Sequence, residues 1–433
     1  MSKNIPENIT ETPSGVAQQS LVPTRNNTPP KADKAIYVLP GYMGSKLYKG
    51  TDIRFLDQRP AFRQYPYEDM VNNNLYGSGE VANVLGADVE RYGKDAYGVV
   101  DTYKILITEL KNRFDRVMSC GVYDVKFFPY NWLGDINRSV EYLENDANSY
   151  DKIVIITHST GALMASAYVC KNLVNQTKIE KLIMIAPPLY GTYAALLPLE
   201  RGYSRADLLR FFEPLDVGTR NNWVKRITYN SPTTYQLLPS EEYFQNTNAL
   251  DLELGAYYAR FGYERNANWD KFYEVLSKSE NINNALLFED NNPRSHKNFR
   301  KKTLVFLDET TGVRTNFIGI LQKLGAVVIG TVHGHRTHKS VVYSQFSGKL
   351  VEVKYDNDGD STVFHTSMGF KIDNRSKTVI SSMLKYFCFY KGSTPDHGGL
   401  VENKDVINEV IDLIDPPSIA KALPSNVTSN YKK

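Results

Sequence analysis

Ile-Val-Ile-Ile-Thr-His-Ser-Thr-Gly-Ala, Ile153 to Ala162, decides the reading of this chain. The first four residues are apolar and β-branched, which suits a strand buried on both faces. The small residues after Ser159 suit a helix, so the serine stands at the bend between the two. Such a turn strains the backbone at the serine and lifts its hydroxyl above the sheet edge, as in a nucleophile elbow. The pattern is G-x-S-x-G with Gly161 in place and Thr157 where the first glycine would stand. Glycine serves at these positions because backbone and helix approach closely, and a threonine narrows the room without forbidding the turn. A serine that merely caps the following helix fits the same residues, but it would need nothing downstream.

Downstream partners are present, in the order Ser, acid, His that α/β-hydrolases use. Asp360 lies in Asp356-Asn-Asp-Gly-Asp-Ser-Thr-Val-Phe364, just after the strand-like Lys349 to Tyr355. His397 lies in Pro395-Asp-His-Gly-Gly-Leu400, between the apolar Tyr386 to Tyr390 and an amphipathic helix expected over Lys404 to Ile414. Loops that follow strands in this way can converge on one site. A calcium loop is the other reading of the acidic run, but it lacks the alternating ligands, the sixth-position glycine and the closing glutamate of an EF-hand. The segment Lys34 to Leu47 reads as a buried strand ending in a Gly-rich turn with Gly41 and Gly44. The amides of Tyr42 there, and of Thr160 after the nucleophile, are the expected oxyanion donors.

Strands and helices alternate around the elbow. Strands are expected at Ala35 to Leu39, Tyr123 to Phe128, Ile153 to His158 and Lys181 to Ile185, with helices near Tyr97 to Phe114, Asn137 to Ala147 and after Ser159. That alternation predicts a mostly parallel sheet with helices on both faces. It stops at 193–300, an aromatic-rich insertion expected to form a cap or lid, and the strand pattern resumes at Thr303 to Leu307. Phe212 and Trp223 in the cap, with Trp132 before the elbow, are candidate substrate-pocket residues. Cap aromatics serve equally well as the cap's own small core. The expected organisation is a disordered arm over 1–33, a first core segment over 34–192 with a lid-like insert at about 48–95, the cap, a second core segment over 301–415 and a disordered tail over 416–433.

The six motifs Pro40-Gly-Tyr-Met-Gly-Ser45, Phe128-Pro-Tyr-Asn-Trp132, Thr157-His-Ser-Thr-Gly161, Ala186-Pro-Pro-Leu-Tyr-Gly191, Gly359-Asp-Ser-Thr-Val363 and Asp396-His-Gly-Gly-Leu400 follow one another along the chain. In that order the chain resembles the lecithin:cholesterol acyltransferase and lysosomal phospholipase A2-like family of α/β-hydrolases. The resemblance runs from about residue 34 to 415. It implies a Ser159-Asp360-His397 triad, an acyl-enzyme, and a lipid ester or phospholipid as substrate, with water or an alcohol as acceptor. The chain departs from the family at Asn131 and Ser361, where the family carries Asp and Gly, and in having no visible signal peptide or lid disulfide.

Composition fits an enzyme with a large core: 433 residues, 42% hydrophobic and 23% charged. A net charge of +3 without a basic, aromatic-laced block gives nucleic acid no foothold. Cys120, Cys170 and Cys388 are too sparse for a disulfide framework. No signal peptide is visible and no run approaches about 18 apolar residues, so a cytoplasmic protein with transient membrane-surface contact is expected. Three histidines at 333, 335 and 338 raise a zinc site, against which stands the lack of nearby cysteine or carboxylate ligands. No cofactor is therefore expected. Two other functions remain open: a hydrolase scaffold that binds lipid or protein without turnover, and a metal-dependent hydrolase on those histidines.

Overall fold

The computed structural model describes residues 32–49, 52–55, 76–77, 102–202, 217–246, 250–253, 263–264, 268–345, 347–373, 375, 379–417 and 423–431. Its centre is a seven-stranded sheet whose strands we number in chain order: β1 (Lys34–Leu39), β2 (Tyr123–Phe127), β3 (Lys152–His158), β4 (Ile179–Ile185), β5 (Val327–Thr331), β6 (Lys385–Phe389) and β7 (Val427–Ser429). The spatial order is β7-β6-β5-β4-β3-β1-β2, and every neighbouring pair is parallel except β6 with β7.

Alternation along β1 explains why both faces are covered. Ala35, Tyr37 and Leu39 point into one apolar cluster and Ile36 and Val38 into another, all five essentially without exposed surface. The first cluster is closed by helices α2 (Ile136–Ala147) and α3 (Gly161–Lys171), the second by α1 (Lys104–Phe114) and α4 (Lys404–Ile414). On α1 the stripe Leu106, Ile107, Leu110 and Phe114 has helical spacing and faces the sheet. Asp135 and Asn403 start α2 and α4 by accepting backbone N–H groups of the first turn. The chain is thus a mixed α/β protein with a mostly parallel central sheet. The expected helix near Tyr97 is seen from Lys104; 97–101 lie outside the described residues.

Parallel strands put all their carboxyl ends on one edge, the place where open α/β sheets carry their sites. The turns after β1, β3 and β6 lead to Gly41, Ser159 and His397. The acid follows a strand, as its sequence suggests, and that strand lies outside the central sheet. Leu350–Asp356 is not a strand of the central sheet: it pairs antiparallel with Thr337–Ser344 in a separate four-stranded sheet that also holds Leu250–Glu253 and Tyr263–Glu264. The chain leaves the end of β5, makes this hairpin, and returns to place Asp360 beside His335, to which it forms a parallel bridge. Both arms are rich in β-branched and aromatic residues, so sequence alone does not tell a side hairpin from a core strand.

A strand stands at Val305–Leu307, within the expected stretch; among the described residues it pairs with Arg314–Asn316, outside the central sheet, which resumes at β5. Val427–Ser429, in the expected disordered tail, forms the edge strand β7. The stretch 193–300 shares the core: Tyr193, Tyr235, Tyr243, Trp269 and Phe272 are buried in the same cluster as Tyr37 and Leu163. For these aromatics the core role is what the structure shows. Phe211, Phe212, Tyr257, Tyr258 and Phe261 lie outside the described residues, as does most of the expected insert at 48–95, of which Leu47–Lys49, Asp52–Phe55 and Tyr76–Gly77 form a small antiparallel sheet.

Candidate active site

Ser159 has φ of 52°, in the left-handed region that a side chain rarely occupies, directly after the last residue of β3. What holds it there is packing on both sides. A Cβ on Gly161 would lie 2.4 Å from the carbonyl oxygen of Leu39, so the helix can begin only with a glycine at this crossing of β1. A Cβ on Gly41 would lie 2.8 Å from Cβ and 3.4 Å from Oγ of Ser159, which places the turn after β1 directly against the serine. Gly44 closes that turn by donating to the Gly41 carbonyl at 2.9 Å, and its own Cβ would strike Pro40. Thr157 is accommodated because it still belongs to the strand, paired with Leu39 and Met184.

The serine is not a helix cap. Thr160 is the N-cap of α3, and no side chain caps that end. Neither the amide of Thr160 nor that of Tyr42 has an acceptor among the described residues. Thr160 N–H is one of the orphan donors that every helix N-terminus leaves. Tyr42 is held firmly: its hydroxyl is 2.9 Å from Thr234 Oγ1, and its ring meets the edge of Trp132 at 4.6 Å. Burial pushes the Tyr42 phenol up to about 12.

Asp360 and His397 form the tightest pair of the site. Oδ2 of Asp360 accepts from Nδ1 of His397 at 2.7 Å, while Oδ1 accepts the amides of Val363 (2.7 Å) and Thr362 (3.0 Å). The backbones join as well, His397 N donating to Asp360 O at 2.8 Å. Burial alone would push the Asp360 carboxyl up, but the charge and hydrogen bond of His397 and the two amides outweigh it and hold the carboxyl below its ordinary value. The other acids of the loop face elsewhere: Asp358 meets His333 at 2.7 Å and Asp356 meets Lys339 at 3.0 Å.

His397 reaches the neighbour of Ser159, its carbonyl 2.9 Å from Nε2 of His158 with the two rings 4.8 Å apart. Among the described residues no hydrogen bond joins Ser159 Oγ to His397. Ser159, Asp360 and His397 are all buried, at 7%, 0% and 8% exposure, so a reacting group there is largely shielded from water.

The candidate pocket residues fare unevenly. Trp132 is 1% exposed with its indole N–H donated to Ser45 O at 3.0 Å, so it underpins the Gly-rich turn instead of lining open space. Trp223 is half-buried on the helix Val217–Tyr229 with the Arg226 guanidinium 4.5 Å from its ring. Phe212 lies outside the described residues. Two open cavities, of about 690 and 620 Å³, are lined by Glu109, Arg113 and Asp412 and by Lys225, Arg226 and Asn281, and touch none of the site residues.

Histidines 333, 335 and 338 do not converge. His333 turns to Asp358, His335 to the carbonyl of Thr394 at 2.9 Å, and His338 stacks on Tyr355 at 4.8 Å. Among the described residues no cluster of metal-ligating side chains is found. The first two histidines bind the acid loop to the histidine loop, and Thr331 at the end of β5 adds a bond to Pro395 O at 2.8 Å. Two residues at the site escaped sequence reasoning: Tyr103, in a stretch read only as helix, and His158, quoted in the elbow without a role.

No protein-family model and no curated protein matches the chain. Among solved structures it is similar to a chain in the crystal structure of the Tle4-Tli4 complex, with 14% identity over 87% of this chain and 97% of that one and a TM-score of 0.53. At that identity the likeness concerns the fold: the two chains share an overall architecture along nearly their whole length.

Proposed function

We propose that this chain is a serine ester hydrolase of the α/β-hydrolase fold, acting on lipid esters as a lipase or phospholipase A, and similar to the lecithin:cholesterol acyltransferase family. The observation that carries the reading is a left-handed serine at the carboxyl end of a central parallel strand, on the edge that also holds the Asp360–His397 pair. In this reading His397 takes the Ser159 proton as Oγ attacks the ester carbonyl carbon, and Asp360 fixes the imidazole tautomer and steadies its positive charge. The orphan amides of Tyr42 and Thr160 receive the oxyanion. Collapse of the tetrahedral adduct breaks the ester C–O bond, and the alcohol leaves with the proton from His397. Water then releases the acid from Ser159; a lipid alcohol in its place yields a new ester.

Among the described residues no helix is long and apolar enough to cross a membrane. The test is a panel of glycerolipids and phospholipids with products read by mass spectrometry, with and without an added alcohol, alongside a fluorophosphonate probe. Labelling mapped to Ser159 together with ester cleavage is expected. A second reading, a scaffold that binds a protein or lipid without turnover, draws on one observation: the similar structure is that of a complex. Absence of labelling and of any cleaved lipid would leave that reading standing.

A further inference from the structure

Three elements must keep register around Ser159: the turn after β1, the elbow itself and the histidine loop. A single hydrogen-bonded chain runs through all of them. The Gly41 amide is 2.7 Å from the Tyr103 hydroxyl, that hydroxyl is 2.7 Å from Nδ1 of His158, and Nε2 of His158 is 2.9 Å from the carbonyl oxygen of His397. Its two ends fix the protons between them. An amide can only donate and a carbonyl can only accept, so Nε2 of His158 carries a hydrogen and Gly41 donates to the tyrosine oxygen. With His158 neutral, its Nδ1 accepts the Tyr103 proton and every group in the chain is satisfied once. A charged His158 would point a second donor at the tyrosine and strand its proton. Burial first, then the charge of His397, lowers the His158 imidazole to about 3, which keeps it neutral at any working pH.

The chain is enclosed. Tyr103 and His158 are 3% and 6% exposed, and the Tyr103 ring packs on Phe127 at 5.5 Å and on His158 at 5.7 Å. It also has a geometric reason to be where it is. With the Gly41 N–H committed to Tyr103, the next amide, that of Tyr42, is left as the donor of the turn, and the peptide before it cannot swing. We propose that Tyr103 and His158 are positioning residues, which through this chain set the Tyr42 amide and the His397 ring against Ser159. The proposal rests on the serine hydrolase reading.

Tyr103→Phe keeps the ring and removes the hydroxyl. On a short p-nitrophenyl ester kcat should fall about 10- to 100-fold, the scale of a small misplacement of catalytic groups, with KM changed by less than about 2-fold. The inhibition constant of an alkyl boronic acid, which forms a tetrahedral adduct on serine, should rise by the same factor as kcat/KM falls. His158→Gln retains a donor for the His397 carbonyl and gives up the acceptor for Tyr103, while His158→Asn does the reverse. Both should lose activity, and Tyr103→Phe added to His158→Gln should cost little more than either alone.

A role confined to stability would lower Tm and leave the boronic acid affinity and kcat untouched, and that result overturns the proposal. Should Tyr103→Phe fail to fold, the two His158 variants decide by the same measure. Fluorophosphonate labelling of wild-type Ser159 with an undiminished Tyr103→Phe enzyme defeats the positioning role alone. An active Ser159→Ala variant defeats the hydrolase reading and the positioning role with it.

Discussion

Asp360 and His397 are joined twice, side chain to side chain at 2.7 Å and backbone to backbone at 2.8 Å, so the acid and its histidine are fixed as one unit. Asp360→Asn leaves the backbone bond in place and offers the imidazole the wrong partner. A fall in kcat of about 10³ to 10⁴ is expected. Asp358→Asn alters the His333 contact and leaves the Asp360–His397 pair in place, so steady-state kinetics should show a far smaller fall in kcat than for Asp360→Asn.

The same carboxyl sets a pH dependence of stability. Its folded value is lowered, so its contribution is present above the ordinary carboxylate value and is lost as pH falls through the lowered folded value. Tm of wild type should therefore exceed that of Asp360→Asn at neutral pH, and the gap should close in acid. A gap that widened on acidification would contradict the carboxylate's charged, hydrogen-bonded state.

Ser159→Gly should abolish turnover and stabilise the protein. Glycine relieves a left-handed φ worth about 1 kcal/mol, which in a chain of this size raises Tm by about 1 °C. Ser159→Ala keeps its Cβ, so it should lose activity to the same extent without that gain. Calorimetry of the two variants side by side reads the difference.

Two glycines of the site should fail in different ways. Gly41→Ala drives a methyl into Ser159, so kcat should drop at least about 100-fold with the fold intact. Gly161→Ala meets the rigid backbone of Leu39, so about 1 to 3 kcal/mol of stability should go first. Denaturant midpoints against kcat separate the two.

Phe272→Ala tests the insertion. Because Phe272 is fully buried in the central cluster, about 3 to 5 kcal/mol should be lost, and turnover of long- and short-chain esters should fall together as the folded fraction falls. Selective loss on long chains would make it a pocket wall.

Excess chelator should leave esterase activity unchanged, since His333, His335 and His338 each serve a different protein partner. Loss of activity that zinc restores would overturn this.

Much of the site was legible because its residues are forced by local chemistry. Gly161 and Gly41 stand where backbone and serine leave no room for a Cβ, and such constraints survive in the sequence as short motifs. Long-range pairing left weaker traces. Nothing in Leu350 to Tyr355 says that its partner is Thr337 to Ser344 rather than a core strand, since both arms alternate alike. The aromatics of 193–300, Tyr235 and Tyr243 among them, read equally well as a pocket lining or as the core of a separate cap until their neighbours are known. Tyr103 was invisible for the same reason, because its hydroxyl matters only through Gly41 and His158, 62 and 55 residues away.

The short antiparallel strand Val427–Ser429 has a consequence for handling the protein. It occupies the outer hydrogen-bonding edge of Lys385–Phe389, and Asn430 and Asn426 extend the seal through the backbones of Tyr386 and Tyr390. At the opposite edge, Asp124 and Lys126 place charge on Tyr123–Phe127, and Asp115 covers part of that strand by bridging to Tyr123 and accepting the Val125 amide, which together discourage another chain from docking there. Clipping the chain before Val427 would uncover a Tyr-Phe-Cys-Phe ribbon with no such charges. Proteolytic trimming or an aggressively shortened expression boundary should thus convert a monodisperse preparation into one that self-associates, with Ser159, Asp360 and His397 untouched.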